Sequence, residues 1–401
     1  MELDKLLNEL LGNINVTAEH LNGVPLFVHN PEGGGLYVGQ NEFEKFSYLL
    51  EKIYHHDKII KSRFSSKKIH QYTKKEVFSK RRKNLLFTQG EAESFFNELL
   101  AIKPRSCKVI APISGVRLDF KDRVNMSIFE VGKTKSLKLP FDSLQSEYYV
   151  SASIEDIYDD ELAIEIAENK FSDFIRLIVF ISGRDDRNIR IKIGLPVYQS
   201  IGPIQMYVDS SSYSIVENDN LLLGSVAMQN KIMEKLPLDA PFFQSNKHFQ
   251  KLWDIYEEPI PKKNKMKRRV LNASISIGES ALSRNVKNSI IYTSMAFEML
   301  FSLDESSLFQ SSIADKLAGN LAFILGTDKQ SRLQIIKDVK KFYALRSGLV
   351  HGASPDLDSS YMTFNILLRE SINELLNNEK YEKVNDISVL YEMLKEAQNS
   401  Y

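Results

Sequence analysis

The chain has 401 residues, a length that favours about two or three domains, because single hydrophobic cores rarely grow beyond a few hundred residues. Its 52 Lys and Arg residues balance its 52 Asp and Glu residues, so the overall charge by itself indicates neither a nucleic-acid-binding nor a membrane-binding protein. The single cysteine, Cys107, excludes a disulfide within the chain and is typical of the reducing cytoplasm.

The first residues and the longest apolar runs bear on targeting and membranes. Residues 1–7 are acidic and amphipathic, unlike the basic first region of a signal peptide. Residues 177–181 are typical of the longest apolar runs, which fall far short of the roughly 18 residues that span a bilayer. We therefore expect a soluble, cytoplasmic protein with no membrane partner.

Residues 14–245 mix the two secondary-structure patterns, with strands in the majority. Helices are predicted over 42–55 and 91–101, the first from apolar residues that recur every three or four positions. Strands are predicted over 107–120, 126–131 and 148–153. The continuous apolar run Leu177–Ile181 predicts a strand buried on both faces, and the alternation of Ile189, Ile191 and Ile193 with basic residues predicts a strand with one wet face.

A proline-rich and charged segment at 257–264 is typical of a linker, and the pattern beyond it is helical. The predicted apolar stripes are Leu271, Ile275 and Leu282; Ile291, Met295 and Met299; Ile313, Leu317, Leu321 and Ile324; Leu333, Ile336, Val339 and Tyr343; with two more at 364–376 and 389–394. Gly326 and Gly352 mark helix ends. The sequence thus predicts an α+β protein, with a strand-rich α/β domain over 1–256 and an antiparallel helical bundle over 265–401.

The fourth stripe carries the most informative residues. Continued in steps of three or four, it reaches Arg346, where a bundle would place another leucine. An arginine on an apolar face must extend to solvent, pair with a carboxylate or line a cleft. Ser347 lies one turn before His351, so we expect the three polar side chains to converge. An arginine and a histidine together supply a permanent cation and a side chain that titrates near neutral pH.

The glycines beside these residues, Gly348 and Gly352, are poor helix formers that allow another backbone or a ligand to approach. The spacing alone also fits a structural role, with the arginine paired to a core acid and the histidine capping a helix end.

The segment Tyr343-x2-Arg346-Ser347-x2-Val350-His351-Gly352 resembles the signature of Apea-like HEPN domains, in which an Arg is followed by four to six residues and a His. Residues 292–300 resemble the helix of that family written ALExLL, and residues 315–318 fit the helix after it. The resemblance covers roughly 265–400. It implies a helical bundle that acts as a metal-independent endoribonuclease of toxin or antiviral-defence type, with one site formed by two protomers.

Carried onto this chain, the resemblance makes His351 the general acid and base for attack of the ribose 2′-hydroxyl on the adjacent phosphate. Arg346 stabilises the charge that develops on the phosphorane. Ser347 stands where the family often has Asn, Asp or His, and its hydroxyl can still donate a hydrogen bond to phosphate. The expected partners are an RNA substrate, a second copy of the chain in a homodimer or larger homo-oligomer, and a trigger ligand or protein for a sensory or regulatory domain at 1–256.

Two other classes of function remain open. The first is a non-catalytic scaffold of the HEPN type that binds RNA or protein as a dimer. The second is nucleotide transfer onto a partner, which the sequence disfavours because it lacks the Gly-Ser and paired-carboxylate pattern of metal-dependent transferases. No cofactor and no metal is expected.

Two basic clusters are candidate RNA-binding surfaces. Between residues 58 and 83 there are 11 Lys and Arg against one acid, Glu76, with Phe64, Tyr72 and Phe78 between them as candidates for base stacking. A solvated loop is the alternative for this segment. The second cluster, at the entrance to the helical part, gives the candidate RNA-binding residues Lys263, Lys265, Lys267, Arg268 and Arg269.

Three weaker motifs favour structural roles. The triple glycine at 33–35 lacks the Lys-Ser/Thr of a phosphate-binding loop and is typical of a hairpin turn. Adjacent His55 and His56 point about 100° apart on a helix, which disfavours a shared metal. Cys107 lies in a strand pattern and is predicted to pack in the core.

Overall fold

The computed structural model describes residues 2–16, 27–28, 36–38, 40–137, 146–183, 191–194, 199–201, 204–217, 220–259, 264–283, 285–303, 313–352 and 360–399. Two compact units divide the chain: unit 1 comprises Met1–Val109 and Ser153–Asn169, and unit 2 comprises Ile110–Ala152 and Lys170–Tyr401. The predicted α+β class is confirmed, with antiparallel sheets in the first part of the chain and a mostly helical C-terminal part. The predicted boundary between 1–256 and 265–401 stays a prediction, and residues 260–263 of the predicted linker lie outside the described ranges.

The helices are α1 (Leu3–Gly12), α2 (Gln40–Tyr54), α3 (Lys58–Arg63), α4 (Ser66–Arg82), α5 (Gln89–Glu93), α6 (Asn97–Leu100), α7 (Asp160–Ser182), α8 (Pro241–Gln244), α9 (Lys247–Glu257), α10 (Lys265–Leu282), α11 (Val286–Phe301), α12 (Ile313–Leu325), α13 (Lys329–Val350), α14 (Ser360–Asn377) and α15 (Ile387–Asn399). The strands are β1 (Asn15–Val16), β2 (Phe27–Val28), β3 (Leu36–Tyr37), β4 (Arg105–Ser114), β5 (Val116–Arg117), β6 (Arg123–Met126), β7 (Phe129–Lys133), β8 (Tyr148–Ile157), β9 (Lys192–Ile193), β10 (Gln199–Ile201), β11 (Ile204–Glu217), β12 (Asn220–Glu234) and β13 (Leu236–Pro237).

The strands form several sheets within the described ranges. One has the order β6-β7-β8-β4-β9, with β6, β7 and β8 antiparallel in turn. A long antiparallel hairpin, β11 with β12, carries β10 at its edge. The predicted strand at 148–153 is confirmed within β8, and the one predicted over 126–131 is a hairpin, since β6 ends at Met126 and β7 starts at Phe129. The predicted strand 107–120 is divided by Gly115, whose φ of 83° breaks the extended backbone between β4 and β5.

Unit 1 is built around α1, which packs against α2, α4 and α5. The predicted helix at 42–55 is confirmed as α2, and the one at 91–101 is divided into α5 and α6. The core consists of apolar side chains from these helices, among them Leu7, Leu10, Leu50, Ile53, Phe64, Ile69, Val77 and Phe78. Helix α4 begins where the Ser65 hydroxyl accepts a hydrogen bond from the Lys68 amide. The segment 58–83 is therefore helical, and its interpretation as a solvated loop is wrong.

Two predictions of buried strand structure are also wrong. Residues 177–181 lie at the end of helix α7, where all five side chains are buried. A helix surrounded by protein shows the same continuous apolar run as a buried strand, so the pattern alone does not separate them. Cys107 in β4 is only half-buried, because this strand begins exposed, and the predicted core position is wrong. Of the alternating residues, Ile193 lies in β9 and Ile189 lies outside the described ranges.

The helices from α10 onward pack on one another in unit 2. Helices α10 and α11 approach closely through small polar residues: the Ser280 hydroxyl donates to the Ser289 carbonyl, and the Ser289 hydroxyl donates to the Ser280 carbonyl, each at 2.8 Å. The predicted stripe of α12 is confirmed at Leu317, Leu321 and Ile324, which are buried. No helix among the described residues is both long and apolar enough to cross a bilayer.

The stripe predicted for α11 marks the wrong face, and the stripe predicted for α13 is right at Val339 but wrong at Leu333. Met295 and Met299 are exposed, and α11 instead buries Ile290, Ala296, Phe297, Leu300 and Phe301. In α13 Leu333 is exposed, and the buried line consists of Ile335, Val339 and Phe342. Both errors have one cause: each helix carries apolar residues on more than one side, so periodicity does not identify the side that packs.

Candidate functional site

Helix α13 carries the predicted catalytic residues in its last two turns. The Asp328 side chain accepts a hydrogen bond from the Ser331 amide, and the Ser331 hydroxyl accepts one from the Asp328 amide, so the first turn is capped. At the other end the His351 amide donates to the Ser347 carbonyl at 3.0 Å, and Gly352 has a φ of 83°. The predicted helix end at Gly352 is confirmed, since glycine adopts this left-handed conformation without strain.

Arg346 continues the buried line of α13, four residues after Phe342. Its side chain is about one-third exposed, and its Nη2 lies 3.7 Å from Oε1 of Glu298 in helix α11. The Nε atom of Arg346 is buried and has no hydrogen-bond partner among the described residues. The arginine is therefore held at the bundle surface by a carboxylate, with guanidinium donors left over for a further acceptor.

Glu298 has a second partner on α13. The Tyr343 hydroxyl donates a hydrogen bond to Glu298 Oε1 at 3.3 Å. Burial, reinforced by the nearby Glu298 carboxylate, raises the pKa of Tyr343, so the phenol stays protonated and can serve as a donor. One carboxylate thus holds two side chains of α13, located one turn apart.

Ser347 and His351 lie on a different side of α13. Both are exposed, and they are four residues apart, which places them nearly above one another along the helix. Arg346 and His351 are five residues apart, so helix geometry turns them by about 140°. The predicted convergence of three polar groups within one chain is therefore not what helix geometry favours: Ser347 and His351 share a side, and Arg346 faces Glu298.

Helices α11, α13 and α14, which pack on each other, leave large apolar side chains exposed near this end of the bundle. These are Met295 and Met299 in α11, Val350 in α13, and Met362 and Ile366 in α14. Met295 and Met299 lie on either side of Glu298 in sequence, and Val350 immediately precedes His351. In both α11 and α13, exposed apolar residues are therefore close in sequence to the residues of the predicted site.

The basic cluster at the start of α10 is largely engaged within unit 2. Lys265 pairs with Asp386 at 2.9 Å, and Lys267 pairs with Glu258 at 3.1 Å. Arg269 donates to the Met299 carbonyl at 2.8 Å, near the end of α11. The Lys265 ammonium lowers the pKa of Asp386 to about 2. Arg268 lies in the same helix, and Lys263 lies outside the described ranges.

In unit 1 the aromatic residues of the other basic cluster are not available to bases. Phe64 and Phe78 are buried in the core. Tyr72 is half-buried and its hydroxyl donates to the Phe95 carbonyl at 2.8 Å. The prediction that these three rings stack on bases is wrong, because they form the packed side of α3 and α4.

The main residue that the sequence did not identify is Glu298. It lies in the segment 292–300 that resembles a family helix, but nothing local marks it as the partner of Arg346. Within the described ranges no group of three or more His, Cys, Asp or Glu side chains is arranged to hold a metal ion.

Comparisons with known proteins add no identification. A scan against protein-family models finds no match, and searches of curated proteins and of solved structures find none either.

Proposed function

We propose that this chain is a metal-independent endoribonuclease whose active site is completed by a second copy. The observation that carries the proposal is the arrangement at the end of α13. Arg346 is fixed against Glu298 with donors to spare, while Ser347 and His351 are exposed about 100° and about 140° away around the helix. One chain therefore offers a cation and a proton-transfer group that do not face each other. Two copies in contact can supply both to one phosphate.

The chemistry follows from the two side chains. His351 accepts the proton of a ribose 2′-hydroxyl as its oxygen attacks the adjacent phosphorus. The bond from phosphorus to the 5′-oxygen breaks, and that oxygen receives its proton from the imidazolium that His351 has become. Arg346 stabilises the additional negative charge on the phosphorane oxygens, and the Ser347 hydroxyl donates to a phosphate oxygen. The products are a 2′,3′-cyclic phosphate and a 5′-hydroxyl.

The exposed apolar side chains of α11, α13 and α14 support a second copy as part of the site. Large apolar groups that remain in water on neighbouring elements are typical of protein interaction surfaces. A symmetric contact through this end of the bundle would cover them and bring two copies of α13 together.

The experiment is cleavage of purified RNA by the full chain in excess EDTA, with the new ends mapped. We expect cyclic-phosphate ends from the wild-type protein and none from His351→Ala. Because His351 is exposed, its replacement should not unfold the protein, so a loss of cleavage would reflect the loss of the imidazole. His56→Ala is the matched control, since His56 is also exposed but lies in unit 1. Unchanged cleavage by His351→Ala would overturn the proposal, as would activity that EDTA abolishes.

A second experiment tests the composite site. Arg346→Ala and His351→Ala protomers, each inactive alone, are mixed under conditions that allow exchange. Partial recovery of cleavage is expected, because a mixed pair retains one arginine and one histidine. No recovery in a pair shown to form would contradict the two-copy arrangement.

The alternative function is a non-catalytic scaffold that binds RNA or protein. The Glu298 pairing favours it, because a carboxylate that neutralises Arg346 is also what a purely structural arginine requires. This alternative predicts that RNA binding survives in His351→Ala and that no cyclic-phosphate ends appear with the wild-type protein.

A further inference from the structure

Helix α4 in unit 1 carries basic residues in pairs that repeat every seven positions. The three pairs, which we name the basic doublets, are Lys67-Lys68, Lys74-Lys75 and Arg81-Arg82. All six lie within the helix, which spans Ser66–Arg82. A seven-residue spacing places side chains on one side only when the segment is helical, as it is here.

Seven residues are nearly two turns of an α-helix, so the doublets lie almost above one another on one side. The rise of about 1.5 Å per residue separates them by roughly 10.5 Å each and spreads them over about 21 Å. Gln71 is exposed between the first and second doublets. The opposite side of α4 packs in the core through Ile69, Thr73 and Val77, and Phe78, between the second and third doublets, is buried as well. The doublets therefore form a straight basic row on the outside of unit 1.

Some of these cations are engaged within unit 1 and others are not. Lys67 pairs with Glu161 at 2.5 Å, and Arg81 Nε donates to the Ile14 carbonyl at 2.9 Å. The ammonium groups of Lys68, Lys74 and Lys75 have no partner among the described residues. Like charges so arranged repel each other.

Helix stability does not explain the row. The dipole of a helix favours acids in its first turn and bases in its last. The first turn of α4 has no acid and instead carries Lys67 and Lys68, while the last turn carries three basic residues. Only the C-terminal doublet is placed where it stabilises the helix. The two doublets before it contribute charge at some cost to the fold.

We propose that the basic doublets bind the phosphate backbone of a double-helical nucleic acid. A straight row of cations about 21 Å long can cross the two phosphate strands that border a groove of a duplex, since the roughly 10.5 Å between doublets is close to the major-groove width of about 12 Å. Single strands are less suited, because their binding uses exposed aromatic rings and the rings of this segment are buried or half-buried. Recognition is through charge alone, so it is independent of base sequence.

The α4 row is better placed for this role than the cluster at the start of α10. There, Lys265 and Lys267 are each paired with a carboxylate. A phosphate would have to displace those carboxylates, whereas Lys68 and Lys75 can bind phosphate and release its counterions without breaking an ion pair.

The test uses the full chain and a DNA duplex of about 20 base pairs, with affinity measured between about 50 and 200 mM salt. DNA lacks the 2′-hydroxyl that the proposed nuclease requires, so binding is measured whether or not that proposal holds. The double variant Lys68→Gln/Lys75→Gln removes two phosphate contacts, and we expect the slope of log affinity against log salt to fall by roughly 2. Over this fourfold change in salt, wild type should then lose about tenfold more affinity than the variant.

The matched control is Lys45→Gln/Lys52→Gln, which removes the same charge from helix α2 of the same unit. Lys45 pairs with Glu9 at 3.0 Å and Lys52 lies over the Tyr48 ring, so neither belongs to the row. The control should keep the wild-type slope. An equal fall in both variants, or no duplex binding by the wild type, would overturn the inference. So would binding to phosphatidylserine vesicles, with no duplex binding, that depends on Lys68 and Lys75.

Discussion

The carboxylate of Glu298 lies 3.7 Å from the guanidinium of Arg346 and also accepts the hydrogen bond of the Tyr343 hydroxyl. This contact joins helices α11 and α13 at the point where the predicted catalytic motif begins. It fixes the direction of the Arg346 side chain. It also places a negative charge next to the positive charge with which Arg346 would bind an RNA phosphate.

Replacing this carboxylate tests both consequences. Glu298→Gln removes the ion pair but keeps the shape of the side chain, so we expect the free energy of unfolding to fall by about 0.5–1 kcal/mol, since both groups are about one-third exposed. The pKa of Tyr343 should fall as well, because the Glu298 charge helps to raise it. Denaturant unfolding and a spectroscopic titration of the tyrosine measure the two effects. Glu392→Gln, at an exposed position of α15, should change neither.

Gly278 in α10 is predicted to tolerate no side chain. A Cβ atom there would lie 2.0 Å from the carbonyl oxygen of Arg176 in α7, and backbone cannot yield as a flexible side chain can. Gly278→Ala should destabilise unit 2 by about 3 kcal/mol or more. Gly319→Ala in α12 is the matched control: its Cβ meets only Leu394 at 3.8 Å, so the better helix former should stabilise by about 0.5–1 kcal/mol. Equal effects of the two substitutions would show that the close approach of α7 and α10 is wrong.

Asn320 in α12 is fully buried, and neither its amide oxygen nor its amide nitrogen has a partner among the described residues. Asn320→Leu replaces an uncompensated polar group by an apolar one of the same branched shape, so we expect stabilisation by about 1–3 kcal/mol in thermal or denaturant unfolding. Asn365→Leu should act in the opposite direction. That buried amide donates to Thr293 at 3.3 Å and accepts from Arg369 Nε at 2.7 Å, so its replacement removes both hydrogen bonds. Destabilisation by Asn320→Leu would indicate a polar partner for this amide.

The sequence predicted those parts of the fold that local signals determine. The end of α13 was predicted because glycine after a helix adopts a positive φ, and the buried stripe of α12 was predicted because one side of it is apolar. The buried face of α11 was not predicted, and that of α13 was predicted only in part, since both helices carry apolar residues on several sides and the neighbouring helices decide which side packs. The helix at Leu177–Ile181 was missed for a related reason, because complete burial removes periodicity.

For the candidate site, too, the features that depend on one helix were predicted and those that depend on helix packing were not. Arg346 on the buried line of α13 could be predicted from spacing within one helix. Its partner Glu298 could not be predicted, because the contacts of Glu298 depend on how α11 packs against α13. Glu298 and Tyr343, which are hydrogen-bonded, are 45 residues apart in the sequence. The sequence showed that the segment of the basic doublets is rich in Lys and Arg. It did not show that they lie in a row, because that follows only once the segment is known to be a helix.

The pair Lys265–Asp386 gives a prediction that depends on pH. The hydrogen bond from Lys265 lowers the pKa of Asp386 from 3.8 to about 2, with help from the Ser388 amide. The folded chain therefore favours the ionised carboxylate, so this contribution to stability is complete above pH 3.8 and is lost as the pH falls through about 2. An NMR titration of the Asp386 carboxyl group should place its midpoint near that lower value.

Lys265→Gln should move this midpoint upward, part of the way to 3.8, because the Ser388 amide remains as a donor. Lys267→Gln is the control, since Lys267 pairs with Glu258 at 3.1 Å. An equal shift in both variants would mean that the general positive potential of the cluster, and not the single contact, ionises Asp386. In that case the lysines at the start of α10 would not each be occupied by one carboxylate, and α4 would no longer be the better-placed nucleic-acid surface.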